Sequence, residues 1–296
     1  MTSEMNDYID WLRPTVEEVR AGIDWISASL RAEAPDRWVW ANSCAQVVMA
    51  IAENGYAVSD RGLLGYRGIA AGNCFAGNRE DGSYVQLSGA HAQTHLAAIL
   101  RGDLHVSRVD LAVTVRFRVM PSALGEVLHR AAVEAVQSHT HQLRRRRIYY
   151  MSGNDGGYTL YIGSPASEQR ARIYNKEIQS DTPEYERCWR FEVVYKNELA
   201  MEILEQVSAM PINHVPQLCS VLVWQWCALR GIPCPWNAAG DDYVLPISKT
   251  TPSDAAKKLQ WVAKQVRPAV RWLIENGYRA DLLDALGLEK PASDVM

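Results

Sequence analysis

The stretch LHVSRVDLAVTVRFRV (residues 104–119) decides the fold. It is rich in β-branched residues and alternates apolar with polar side chains, the period of a strand rather than a helix. Arg108, Asp110 and Ala112 share one face; Val109, Leu111 and Val113 share the other. A strand with one apolar face must bury that face against another layer. The chain on either side supplies helices and further strands. PSALGEVLHRAAVEAVQSH (121–139) is a helix opened by Pro121, and strands follow at about 146–151, 158–163, 170–176 and 187–196. The loops SGNDGG (152–157) and SDTPEYE (180–186) punctuate them. Upstream lie a strand, SYVQLSG (83–89), and a helix, HAQTHLAAILRG (91–102). Before these comes a glycine-rich run of hairpins over 59–83, preceded by a helix, WANSCAQVVMAIAENGY (40–56). The expected class is α+β: an antiparallel central sheet made of two pseudo-symmetric α+β halves.

The N-terminus reads differently. YIDWLR (8–13) is expected as a short strand closed by Pro14. Thr15, with Glu18 three residues on, is expected as a capping box opening a helix to about Leu30. Beyond Glu198 the pattern turns helical, at about 198–209, 214–230 and 254–276, with GIPCPWNAAGDDYVLP (231–246) as a linker. This places one α+β domain over 1–209 and a helical accessory region over 210–296.

RVDLAV (108–113) has an echo in RFEVVY (190–195), both Arg-apolar-acid-apolar-apolar. Arg190, Glu192 and Val194 share a strand face, as do Arg172, Tyr174 and Lys176 in RARIYNKEIQ (170–179). If these strands adjoin with faces aligned, the sheet presents two carboxylates, a phenol and several cations. That set suits phosphodiester cleavage. Asp110 and Glu192 would hold a hard Mg²⁺ or Mn²⁺ ion, and Tyr174 would attack, with Arg172 and Lys176 favouring the phenolate and gripping phosphate. The residues alone leave other readings open. A strand tyrosine is ordinarily packing, an Arg-x-acid pair is ordinarily a cross-strand ion pair, and Arg144, Arg145, Arg146 and Arg147 are ordinarily a solvated face.

The combined motif YIGSPASEQRARIYNKEIQ (161–179) and CWRFEVVYKNEL (188–199) resembles the replication initiation factor (Rep-trans) family. That family includes initiators of rolling-circle plasmids, relaxases of integrative elements and replication proteins of filamentous phages. The resemblance spans about residues 8–200 and is nearest the phage branch; the departure is Pro165-Ala166 after Gly163-Ser164. It implies a cytoplasmic rolling-circle replication initiator in a bacterial host. Tyr174 would be the nucleophile that forms a 5′-phosphotyrosine and frees a 3′-OH. Asp110 and Glu192 would be metal ligands, with Arg172, Lys176, Arg190 and Arg108 serving phosphate or the ligands. The expected partners are origin DNA with a single-stranded nick site, a host helicase and a second copy of the chain, but no membrane. A conjugative relaxase, or a non-catalytic DNA-binding regulator on the same fold, are the alternatives.

Bulk properties agree. The formal net charge of −3 excludes a protein that coats nucleic acid indiscriminately. Charge is uneven: residues 249–279 hold seven bases against two acids, so Lys257, Lys258, Lys264, Arg267 and Arg271 are candidate DNA contacts. Six cysteines without a C-x-x-C pair exclude a zinc ribbon. SHTHQ (138–142) offers His139 and His141, but at an expected helix end, where no converging ligands are supplied.

Overall fold

The computed structural model describes residues 3–53, 55–100, 103–137, 148–153, 157–180, 182–238, 266–279 and 281. The chain divides into two compact units, Met1–Ile247 and Ser248–Met296. In the first, one ten-stranded sheet runs in the order β2 (Val58–Leu63), β3 (Tyr66–Ala71), β4 (Cys74–Arg79), β5 (Gly82–Ser88), β1 (Val16–Arg31), β6 (His105–Phe117), β10 (Cys188–Lys196), β9 (Gln169–Asn175), β8 (Tyr158–Ile162), β7 (Ile148–Ser152), and each neighbouring pair is antiparallel.

Two halves build it. The first is β1 (Val16–Arg31), α2 (Arg37–Glu53) and then β2 (Val58–Leu63), β3 (Tyr66–Ala71), β4 (Cys74–Arg79) and β5 (Gly82–Ser88). The second is β6 (His105–Phe117), α5 (Leu124–Gln137) and then β7 (Ile148–Ser152), β8 (Tyr158–Ile162), β9 (Gln169–Asn175) and β10 (Cys188–Lys196). Each half is a long strand, a helix and a four-stranded meander whose last strand pairs with the first. The long strands β1 and β6 pair with each other at the centre. Short helices α3 (Ala90–Thr94) and α4 (Leu96–Ile99) follow the first meander, and α7 (Glu198–Ser208) follows the second. The junctions correspond too. Gly89 (φ 61°) leads into α3 and Asn197 (φ 53°) into α7, both at positive φ, which glycine adopts freely and asparagine more readily than most residues. The halves are therefore pseudo-symmetric, as expected, but the echoing segments are not symmetry mates. RVDLAV and RFEVVY lie on β6 and β10, adjacent strands of one half, with Leu111 opposite Val193 and Val113 opposite Phe191.

The helical layer covers one face of the sheet. Helix α2 buries Trp40, Cys44, Val47, Val48 and Ile51 at helical spacing. In α5 small residues permit close approach: a Cβ on Gly125 would lie 2.5 Å from the Tyr158 ring. Helix α8 (Val215–Ala228) packs against β1, β6 and β10 and buries Leu218, Leu222 and Trp226, each contributing about 1.5–3 kcal/mol. The expected boundary near residue 210 thus falls inside the first unit, and the expected linker supplies core residues Ile232, Cys234 and Trp236. The second unit contributes α9 (Arg267–Glu275), where Arg271 pairs with Glu275 at 3.2 Å.

The N-terminal expectations invert. All of YIDWLR but Arg13 lies in helix α1 (Ser3–Leu12), where Ile9 and Leu12, three residues apart, are buried. The expected helix over 16–30 is strand β1, the longest in the sheet. Thr15 does not cap a following helix; its hydroxyl donates to the Leu12 carbonyl at 2.7 Å and closes the preceding one. Strand pairing with both β5 and β6 outweighs the local cap signal. Among the described residues no helix is long and apolar enough to cross a membrane, and none of the six cysteines forms a disulfide.

Candidate active site

The face away from the helices carries the charged side chains. Alternation along β6, β9 and β10 puts Asp110, Glu192, Arg172 and Tyr174 there, and the register aligns them. Arg172 is opposite Glu192, and Arg190 opposite Tyr174; Ala112 is opposite Glu192, and Val194 opposite Asp110. Asp110 and Glu192 are therefore diagonal neighbours across the small Ala112. The three strands adjoin with their charged faces on one side, as the mechanism requires.

Tyr174 is buried, and its hydroxyl donates to Glu192 Oε2 at 3.4 Å. The Arg172 guanidinium lies over its ring at 4.6 Å and contacts Glu192 Oε1 and Oε2 at 3.1 and 2.8 Å. Burial, with the Glu192 charge, pushes the phenol above its ordinary range, and Arg190 and Arg172 only partly oppose this. Both effects favour the protonated phenol over the expected phenolate, and Glu192 is the acceptor the hydroxyl points to.

Lys176 departs from the expected strand. The Asn175 side chain accepts the Ile178 amide at 3.3 Å, which turns the chain into α6 (Lys176–Ser180). Lys176 still reaches back, with Nζ 5.8 Å from the Tyr174 ring centroid and 4.8 Å from that of Tyr185. Burial and Arg190 lower its pKa. The segment carrying Tyr185 is fastened by Arg20, which donates to Glu184 Oε1 at 2.8 Å.

Asp110 is almost fully buried and is gripped by Arg108 through Nε at 2.8 Å and through Nη2. Burial pushes its pKa up to about 6; Arg108 pulls down, while Glu192 and Asp24 push further up. Asp24 was not legible in the sequence, because its segment reads as helix. It sits where the β1–β6 register shifts between Ile23 and Trp25, pairs with Arg190, and has its pKa raised by burial. A bulge re-aims a side chain, and here it brings a third carboxylate to the site.

Arg108, Arg172 and Arg190 thus each pair with a carboxylate of the site, and Arg108 also lies over the Trp25 ring at 4.6 Å. Among the described residues no group of three or more His, Cys, Asp or Glu side chains is placed to hold a metal ion by itself. The donor chemistry nevertheless fits Mg²⁺, which takes one or two carboxylates and completes its shell with water and substrate phosphate. Arg267 and Arg271 lie on α9 in the second unit. Arg144, Arg145, Arg146, Arg147, Lys257, Lys258, Lys264, His139 and His141 lie outside the described residues.

Comparison with known proteins bears on this segment. Residues 104–218 match the sequence profile described as "Replication initiation factor". A search of curated proteins returned no match. Among solved structures, the chain is similar to a rolling circle replication initiator protein from Geobacillus stearothermophilus. The identity is 16% over 68% of this chain and 83% of that one, with a TM-score of 0.47. The matched segment, residues 104–218, is similar to the replication initiation factor family and holds Asp110, Tyr174 and Glu192.

Proposed function

We propose that the protein is a rolling-circle replication initiator, a metal-dependent nickase and strand transferase with Tyr174 as nucleophile. The observation that carries this reading is the convergence of a buried tyrosine, two diagonal carboxylates and the cations Arg172 and Lys176 on one face of three adjoining strands. An inert packing tyrosine has no need of this many charges around it.

In this reading the scissile phosphate takes the place beside Tyr174 where Arg172 and Lys176 present positive charge. The Tyr174 oxygen attacks phosphorus, the bond to the 3′ oxygen breaks, and the products are a 5′-phosphotyrosine and a free 3′-OH. The phenolic proton leaves towards Glu192 and ends on the departing 3′ oxygen. Asp110 and Glu192 would hold Mg²⁺ or Mn²⁺, which when bound supplies charge stabilisation at the phosphoryl group. Arg108 and Arg172 would each give up part of their grip on these carboxylates. Arg190 supports the site by holding Asp24. The partners that follow are origin DNA, melted to expose the nicked strand, and a host helicase.

The decisive experiment is supercoiled plasmid carrying the cognate origin, incubated with Mn²⁺ or Mg²⁺, followed by mass spectrometry of the trapped protein–DNA adduct. The adduct is expected on Tyr174. Tyr174→Phe is expected to lower nicking on the order of 10⁴-fold or more. Unchanged nicking by that variant, or an adduct on Tyr149, Tyr150, Tyr158 or Tyr161, overturns the assignment.

A further inference from the structure

Two rows of Cα partners cross the open face of the second half. One reads Met151, Thr159, Tyr174, Arg190, Thr114 and contains the nucleophile. The row beside it reads Tyr149, Tyr161, Arg172, Glu192, Ala112. In that second row the rings of Tyr149 and Tyr161 stack at 4.8 Å with 17° between planes. Tyr149 lies on the edge strand β7 and is 40% exposed. An aromatic pair stacked face to face on an exposed sheet surface, next to a guanidinium, keeps a π-surface in water and needs a reason.

Architecture does not supply one. In the first half the equivalent row is Arg61, Gly68, Gly77, Tyr84, so Arg61 and Gly68 stand where Tyr149 and Tyr161 do. The first half keeps aromatic residues on this face as well, but Tyr66, Phe75 and Tyr84 are all buried, as packing residues should be. Sheet geometry puts the Tyr161 and Tyr174 backbones ~8 Å apart, one strand across and two residues along. The stacked pair is therefore within reach of the nucleotide that flanks a phosphate held at Tyr174.

Resting on the nickase reading, we infer that Tyr149 and Tyr161 form a stacking platform for an unpaired base next to the scissile phosphate. The occupant is single-stranded DNA. Charge complementarity selects it, since Arg170 and Arg172 line β9 on this face and Lys196 lies on β10. Stacking is tolerant of sequence because every base has a π-face. The platform holds the strand, and recognition of a particular origin rests elsewhere.

The test compares fluorescein-labelled dT15 with a 15-mer of abasic residues, which keeps the phosphates and removes the bases. Binding is read by anisotropy at one salt concentration for wild type, Tyr149→Ala, Tyr149→Leu and Tyr149→Phe. Wild type is expected to prefer dT15. Tyr149→Ala and Tyr149→Leu are expected to bind dT15 about 5- to 100-fold more weakly while binding the abasic strand unchanged, with Tyr149→Phe close to wild type. Leu keeps the apolar bulk on the strand, so a loss shared by Ala and Leu reports the lost ring. Wild type binding both strands equally overturns the platform alone. So does a Tyr149→Ala variant that is unchanged, or that weakens both strands alike. Wild type binding neither strand overturns the nickase reading together with the platform.

Discussion

The two halves of the sheet share a chain trace and put opposite contents on the same face. In the first half, Tyr66 and Tyr84 stack at 5.2 Å, Phe75 joins them, and Arg79 lies over Tyr66 at 4.4 Å. The rings close down on glycine: a Cβ on Gly77 would meet the Phe75 ring at 2.5 Å. In the second half, Arg172 stands at the position equivalent to Gly77 and Glu192 at that of Tyr84. One half has filled its outer face with an aromatic cluster, and the other has filled it with ionisable groups. The difference teaches that the architecture asks only for the apolar inner face. The outer face is free, and in the second half it carries the residues proposed for the chemistry.

The sharpest way to break this division is to remove the carboxylates. Asp110→Asn and Glu192→Gln are expected to cut nicking of supercoiled origin plasmid about 10²- to 10⁴-fold. Their thermal unfolding is expected to move little, because Arg108 and Arg172 keep contact with water. The competing view makes these ordinary cross-strand ion pairs. It requires the reverse, a lowered melting temperature with cleavage intact, and that result would remove Asp110 and Glu192 as ligands.

Much of the second half was legible because its signals are local. Strands β6, β9 and β10 read as strands from their β-branched and aromatic residues, and the two-residue period then places Asp110, Arg172, Tyr174 and Glu192 on definite faces. What periodicity cannot supply is the partner strand, so the register that joins them had to come from the structure. The first half was less legible, and β1 shows why. Thr15 and Glu18 imitate a helix start, while the pairings that make it a strand come from residues about fifty to a hundred positions away. Asp24 was lost with it, since a bulge has meaning only against a partner strand. The stretch after residue 210 was hard to place for a related reason. An apolar helix declares that it is buried, but it does not declare against what, and α8 is buried on the sheet.

A smaller effect is expected from the first half's aromatic cluster. Tyr84→Ala removes a buried ring stacked on Tyr66 and is expected to destabilise the fold by about 3 kcal/mol, read from denaturant unfolding. Nicking measured where the variant is still folded should stay within a few-fold of wild type. A selective loss of nicking with little loss of stability would mean that the aromatic half also contacts DNA, and the division of labour would have to be redrawn.

The smallest effect tests the pseudo-symmetry itself, at the two positive-φ junctions. Around Gly89 nothing lies within 4 Å of where a Cβ would be, so Gly89→Ala meets no clash and its cost comes from backbone conformation alone. With ψ at −146° this is a region that side chains rarely adopt, and the cost is about 1–3 kcal/mol. Asn197 occupies the matching position with no side-chain cap bond, so Asn197→Gly should be neutral or stabilising by a few tenths of a kcal/mol, and Asn197→Ala should cost about as much as Gly89→Ala. Matching penalties for the two alanine variants in equilibrium unfolding are what two copies of one strand-to-helix junction require. If Asn197→Gly instead destabilises by more than about 1 kcal/mol, the asparagine side chain holds something in the second half that Gly89 does not hold in the first, and the junctions are alike only in backbone.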